Sequence, residues 1–244
     1  MKFFLTVITL ALALVRLDAK EDSLKIWWTF DKIENKKINN QTEFSAPLKI
    51  RNTKLVSGYK GNAILFKGNK SCAWNSNLAQ IMSLADNKPF SISFWMKPET
   101  IERRKKHELI SKGKDRGPGW RLYLSYGMLT LRIGEKDNKS GTPVILHTNE
   151  NKIKFIPAKW YHVCIVKNSN GIITIYVNGT EQVKSKKAVS IYPSDKISFS
   201  LGNMLGQYYQ YEGEIDEFKF YKKALTAIDI LKEANSENMI FENL

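Results

Sequence analysis

Cysteine is nearly absent: the chain has two, Cys72 and Cys164, in 244 residues. Two thiols so far apart form neither a zinc-ligand set nor a redox pair. Long apolar runs are missing after the N-terminus, where nothing approaches the roughly 20 residues that span a bilayer. No linker, internal repeat or low-complexity tract divides the chain. No Gly-x-Ser-x-Gly elbow is present, which leaves a serine hydrolase unsupported. Lys112-Gly113-Lys114 lacks the earlier glycine and the following Ser or Thr of a phosphate loop. His107, His147 and His162 show no ligand spacing, and His162, beside Trp160 in an apolar run, reads as a packed structural residue. Acidic residues are scarce too, with 24 Asp and Glu against 38 Lys and Arg and a net charge of +14.

The N-terminus does carry an apolar run, from Phe3 to Val15, preceded by Lys2 and followed by a small residue at Ala19. That layout predicts a secretory signal peptide over 1–19, leaving 20–244 as a single secreted domain with no membrane span. Removing Lys2, Arg16 and Asp18 takes two positive charges and one negative from +14, leaving +13. Such an excess favours acidic partners, namely sulfated or sialylated glycans or anionic headgroups. The Lys residues are nonetheless scattered among Asn and Ile, as a general compositional bias would leave them. A secreted chain without a recognition motif is not expected to bind nucleic acid.

Short apolar alternations recur at Leu24 to Phe30, Ala63 to Phe66, Phe90 to Met96, Leu109 to Ser111 and Arg121 to Ser125. They continue at Leu129 to Ile133, Tyr161 to Val166, Ile172 to Val177, Ile197 to Leu201 and Ile215 to Tyr221. Period-two runs rich in aromatic and β-branched residues read as half-buried strands. Asn170-Gly171 and Asn178-Gly179 supply residues that accept the positive φ of tight hairpin turns. One short helix is predicted near the C-terminus, where Thr226 stands three residues before Asp229 in capping-box spacing, with Ile228 and Leu231 toward the core. Trp28, Trp95 and Trp160 sit inside strand patterns and are expected to pack between sheets.

These pieces follow one another in a familiar order. Trp28-Thr29-Phe30-Asp31, Gly61 to Gly68, Phe90 to Pro98 and Leu109 to Gly113 come first; Trp160-Tyr161-His162-Val163, Gly171 to Gly179, Leu201-Gly202-Asn203 and Gly213 to Tyr221 follow. The series resembles the laminin-G-like, concanavalin A-like jelly-roll family, pentraxin-related, across nearly all of the chain after residue 19. The resemblance implies an all-β fold, an antiparallel two-sheet jelly-roll β-sandwich with one short C-terminal helix. Relatives often hold one calcium ion through a carboxylate near the first strand and one near the closing strand, which implies Asp31 and Asp216 as metal ligands and calcium as a structural cofactor. The double calcium site of the pentraxin branch is not matched, since Asn203-Met204-Leu205-Gly206 stands where that branch clusters acidic and amide residues. Cys164 matches a pentraxin disulfide position whose partner would lie in the Phe90 to Met96 strand, which has no cysteine. A Cys72–Cys164 bridge and two buried free thiols both stay open.

Glu214-Ile215-Asp216-Glu217 is similar to the Glu-x-Asp core of one glycosidase family on this sandwich, where one carboxylate attacks and a second donates a proton. Strand periodicity puts Glu214 and Asp216 on one face and requires the third carboxylate at 218, or at 219 across a bulge. Those positions are Phe218 and Lys219, so the catalytic set is incomplete. The chain reads instead as a secreted, non-catalytic module binding an extracellular glycan or protein. A glycoside hydrolase or lyase, and a matrix scaffold without a small ligand, are the alternatives. Candidate glycan contacts are the basic loop Arg103, Arg104, Lys105 and Lys106, the cluster Lys184 and Lys186, and Tyr208, Tyr209 and Tyr211 as stacking surfaces. Charges such as Lys184 and Lys186 also guard strand edges against aggregation. Asn40, Asn69, Asn138 and Asn178 begin N-glycosylation sequons.

Overall fold

Alternation of apolar and polar side chains is satisfied by two stacked sheets, each burying one face against the other. The computed structural model describes residues 23–78, 82, 88–113, 117–134, 142–192, 197–204, 206 and 208–235. The expected signal peptide and Asn138 lie outside the described residues. Along the chain the strands are β1 Leu24–Trp28, β2 Lys37–Ile38, β3 Leu48–Arg51, β4 Thr53–Ser57, β5 Asn62–Lys67 and β6 Cys72–Asn75. Next come β7 Phe90–Pro98, β8 His107–Gly113, β9 Gly119–Ser125, β10 Met128–Ile133 and β11 Val144–His147. The last are β12 Tyr161–Lys167, β13 Ile173–Val177, β14 Thr180–Lys184, β15 Phe199–Leu201 and β16 Glu212–Tyr221, followed by helix α1, Ala227–Ala234.

One sheet runs β14-β13-β12-β7-β16-β5-β4, with β1 also on β16, and the other runs β11-β10-β9-β8-β15-β6-β3-β2. All of the strand pairings are antiparallel. Sequence-distant strands thus lie side by side, as in a jelly-roll sandwich. The core between the sheets gathers Trp28, Phe66, Phe94, Phe199 and Phe218. Trp28 stacks on Phe218 with ring centroids 5.0 Å apart and donates its indole N–H to the Ala46 carbonyl. Fully burying side chains of this size contributes roughly 1.5–3 kcal/mol each.

Strand β16 is the hinge of the arrangement. Its first half, Glu212 to Ile215, pairs with β5, and its second half, Phe218 to Tyr221, pairs with β1. Between them the register on β7 shifts between Asp216 and Lys219, and Glu217 sits at φ 49°. This is a β-bulge, and it turns Ile215 and Phe218 alike into the core while Asp216 and Lys219 share the outer face. At the β13–β14 hairpin Asn178 and Gly179 both take positive φ, 49° and 77°, as the Asn-Gly pair predicts.

Two sequence expectations need correction here, and one open question is resolved. The capping box forms at Thr226 and Asp229, but the helix buries Ile230 and Ala234, leaving Ile228 68% and Leu231 49% exposed. The helix lies on the outer face of its sheet, and Ile230 meets a secondary apolar cluster containing Cys164, Val166, Tyr221 and Leu225. Trp95 points away from the inter-sheet core, because Phe94 and Met96 on either side of it occupy the inward positions. Of the two states left open for the cysteines, the structure has the free thiols, both buried. Cys72 belongs to β6 of one sheet, while Cys164 lies beneath the helix on the other sheet. Burial raises both thiols above their ordinary range.

Candidate functional site

Glu214, Asp216 and Glu217 of the closing strand each have a partner. Glu214 pairs with Lys97 at 2.7 Å. Asp216 is fully buried beneath the turn from Gly58 to Gly61, its Oδ2 accepting the Lys60 N–H at 2.9 Å and its Oδ1 the Glu217 N–H at 2.7 Å. A Cβ at Gly58 would come within 2.6 Å of Asp216 Oδ2, so glycine lets the turn close over the carboxylate. Burial pushes the Asp216 carboxyl up to about 7, against the pull of its two backbone donors. Glu217, also raised by burial, accepts the Trp27 indole N–H at 3.1 Å and lies 3.6 Å from Lys219. The bulge brings Lys219, not a third carboxylate, onto the face of Asp216. A glycosidase needs one carboxyl and its partner flanking an accessible bond, and Asp216 has no exposed surface to offer one.

Asp31 and Asp216 do not fit the calcium ligand set that the family resemblance implies. Calcium takes six to eight oxygens, whereas these two carboxylates anchor opposite parts of one turn. Asp31 Oδ1 accepts the Asn62 N–H at 2.9 Å, and Asp216 receives Lys60. Among the described residues no group of three or more His, Cys, Asp or Glu side chains is arranged to hold a metal ion.

The basic loop and the tyrosine loop, separate in sequence, meet on the outer side of the other sheet. Strand β8 begins directly after the basic loop, and its Glu108 N–H donates to the Tyr209 carbonyl at 2.8 Å. Lys106 then lies over the Tyr209 ring at 5.0 Å and over the Tyr123 ring at 5.4 Å. The hairpin tip joins them through the Tyr126 N–H, which donates to the Arg103 carbonyl at 3.0 Å. Arg103, Arg104 and Lys105 are exposed, as are Tyr126, Tyr208 and Tyr209. Two of these cations have acidic neighbours, Arg103 with Glu150 at 3.5 Å and Lys105 with Glu102 at 2.6 Å.

Beneath this face lies an ion pair that the sequence did not reveal. Arg121 and Glu108 are buried together, and the guanidinium lies 5.1 Å from the centre of Tyr209 and 5.4 Å from that of Tyr123. Their alternate placement in two adjacent strands was the only available signal. Tyr211 is not part of the surface: it is fully buried, packing on Phe66 at 6.2 Å, because it enters the sandwich just before β16. Lys184 and Lys186 are exposed at and just beyond the end of β14, whose register aligns Lys184 with the Ser91 end of β7 and not with the Pro98 end that leads into the basic loop. Glu150 of the turn at 149–152 meets Arg103, while Lys152 Nζ reaches the Gln182 carbonyl on β14 at 3.4 Å.

A model of the concanavalin A-like lectin/glucanases superfamily, of the laminin-G type, matches residues 67–231. The chain belongs to this superfamily. The match begins at the last residue of β5, so β1 to β4 and nearly all of β5 lie outside it. Among solved structures the chain is similar to the binding domain of Paraclostridial Mosquitocidal Protein 1, at 18% identity and a TM-score of 0.67, covering 88% of this chain and 52% of that one. The binding domain of botulinum neurotoxin DC, solved in complex with rat synaptotagmin II, gives 19% identity and a TM-score of 0.67, covering 89% and 52%. The receptor binding domain of the botulinum neurotoxin C/D mosaic serotype gives 16%, 0.67, 89% and 52%. The chain spans about half the length of these neighbours, and at such identity the likeness is one of fold. Comparison with curated protein sequences finds no match.

Proposed function

We propose that the chain is a secreted, non-catalytic binding module whose ligand is an acidic glycan on an extracellular surface. The observation that carries this reading is the convergence of Arg103, Arg104, Lys105 and Lys106 with exposed Tyr208 and Tyr209 on one face, fixed by Lys106 over the Tyr209 ring. Guanidinium and ammonium groups donate to sulfate or carboxylate oxygens, and flat phenol rings offer an apolar surface with a polar tip. The engaged closing-strand carboxylates favour binding over hydrolysis.

A protein ligand is the second reading. It is favoured by the likeness to toxin binding domains, one of them solved with a protein receptor fragment. A glycan array separates the two. Saturable binding to sulfated or sialylated structures, weakened by Lys105→Glu and by Tyr209→Ala, supports the glycan reading; silence across the array, with capture of a surface protein, supports the other. Turnover of a polysaccharide that Glu214→Gln abolishes would replace both with a hydrolase.

A further inference from the structure

An open cleft of about 590 Å³ lies between the end of β1 and the approach to β2, walled by Trp27, Asp31, Lys32, Glu34, Asn39 and Gln41 among others. Its size falls within the roughly 300–1,000 Å³ of ordinary small-ligand clefts. The wall is built rather than incidental. Trp27 is held by its indole hydrogen bond to Glu217, and its ring carries the Lys219 ammonium 5.2 Å from the centroid. Asn40 ties the wall to β1, accepting the Trp27 N–H at 2.7 Å and donating to the Phe44 carbonyl at 2.8 Å.

Three side chains with donors on the cleft each have a partner. Asn39 Nδ2 donates to Glu34 Oε2 at 2.6 Å, Lys32 pairs with Glu34 Oε1 at 2.6 Å, and Gln41 Nε2 reaches the Asn39 carbonyl at 3.5 Å. Three acceptors have none. Asp31 commits Oδ1 to the Asn62 N–H, and among the described residues Oδ2 and the amide oxygens of Asn39 and Gln41 have no donor. Lys32 and Glu34 neutralise each other, so Asp31 leaves the cleft one negative charge in a chain of net charge +14. Free acceptors and a surplus carboxylate select a group that donates and never accepts.

We propose that this cleft binds a cationic side chain, the guanidinium of arginine or the ammonium of lysine, presented by a protein partner. At physiological salt the field of distant lysines is screened beyond about 8 Å, so the local carboxylate governs approach. The site is separate from the basic face and stands whether or not that face binds glycan.

The test is a titration of the intact protein with Nα-acetyl-arginine N-methylamide, followed by the Trp27 indole N–H resonance. The neutral isostere Nα-acetyl-citrulline N-methylamide and methyl α-glucoside are titrated in parallel. Saturable shifts with the arginine probe alone are expected, weakened about tenfold in Asp31→Asn, as loss of one charged hydrogen bond implies. That variant keeps an Oδ1 acceptor for Asn62, and an unchanged melting profile establishes that the fold survives. Equal shifts with the citrulline probe, shifts with the glucoside alone, or an Asp31→Asn protein that binds arginine as before would each overturn the proposal. So would the absence of saturation with any probe.

Discussion

Arg121 forks onto Glu108, Nε to Oε1 and Nη2 to Oε2, both at 2.7 Å, with side chains 1% and 0% exposed. Removing one partner of such a pair strands a buried charge and costs about 3–5 kcal/mol, whereas replacing both with apolar groups of similar volume is often neutral. Urea melts should therefore show Arg121→Met and Glu108→Leu each strongly destabilised and the double variant close to the parent. Additive losses in the double variant would show that the two residues act independently.

Asp216 ties stability to pH in one direction. Its carboxyl, raised by burial from 3.8 to about 7, keeps its proton longer when folded than when unfolded. Stability attributable to it is present at acid pH and is lost as pH rises from about 4 to 7, by an amount on the order of a few kcal/mol. Asp216→Asn cannot ionise, so its melting temperature relative to the parent should climb across that window. A constant offset between the two proteins from pH 4 to 7 would contradict the shift.

His162 acts in the opposite sense. Burial lowers its imidazole from 6.5 to about 4, and its Nε2 lies 2.8 Å from Ser93 Oγ. The unfolded chain takes up a proton first, so stability is full above 6.5 and falls by about 3 kcal/mol as pH drops toward 4. His162→Gln should lose that acid sensitivity in thermal melts, and Asp216→Asn should expose it more sharply than the parent does, because the two contributions oppose each other there.

The sequons separate by their hydrogen bonds. Asn40 is half-buried, its Nδ2 donating to Lys25, Thr42 and Phe44, and a glycan on that nitrogen would break the network. Asn69 and Asn178 are exposed. Glycopeptide mass spectrometry of protein secreted from a glycosylating host should find Asn40 unoccupied and Asn69 occupied.

The sandwich was legible because its central strands alternate strongly and their turns carry Asn-Gly pairs. Edge strands escaped notice for physical reasons. Thr180–Lys184 needs one apolar face at most, and Lys37–Ile38 is too short to show a period. The helix cap was read from Thr226 and Asp229, but its buried face was not, since Ile228, Ile230 and Leu231 are equally apolar and only the position of Cys164 and Tyr221 beneath the helix selects Ile230. The basic loop and the tyrosines were both identified, while their contact depends on the pairing of distant strands. Tyr211 was grouped with the neighbouring tyrosines although it shares the core-facing parity of Ile215. The Glu108–Arg121 pair was hidden by charge, which in a sequence reads as solvent-facing.

The proposed site for an acidic glycan is the face of Arg104, Lys105 and Tyr209. Calorimetric affinity for one defined sulfated oligosaccharide, measured over a series of salt concentrations, tests it most directly. Binding should weaken steeply with salt and vanish in the double variant Arg104→Glu with Lys105→Glu, while Lys184→Glu with Lys186→Glu leaves most of it in place. Equal losses from both pairs of reversals would mean that net charge alone attracts the glycan, and undiminished binding by the Arg104 and Lys105 variant would contradict the account.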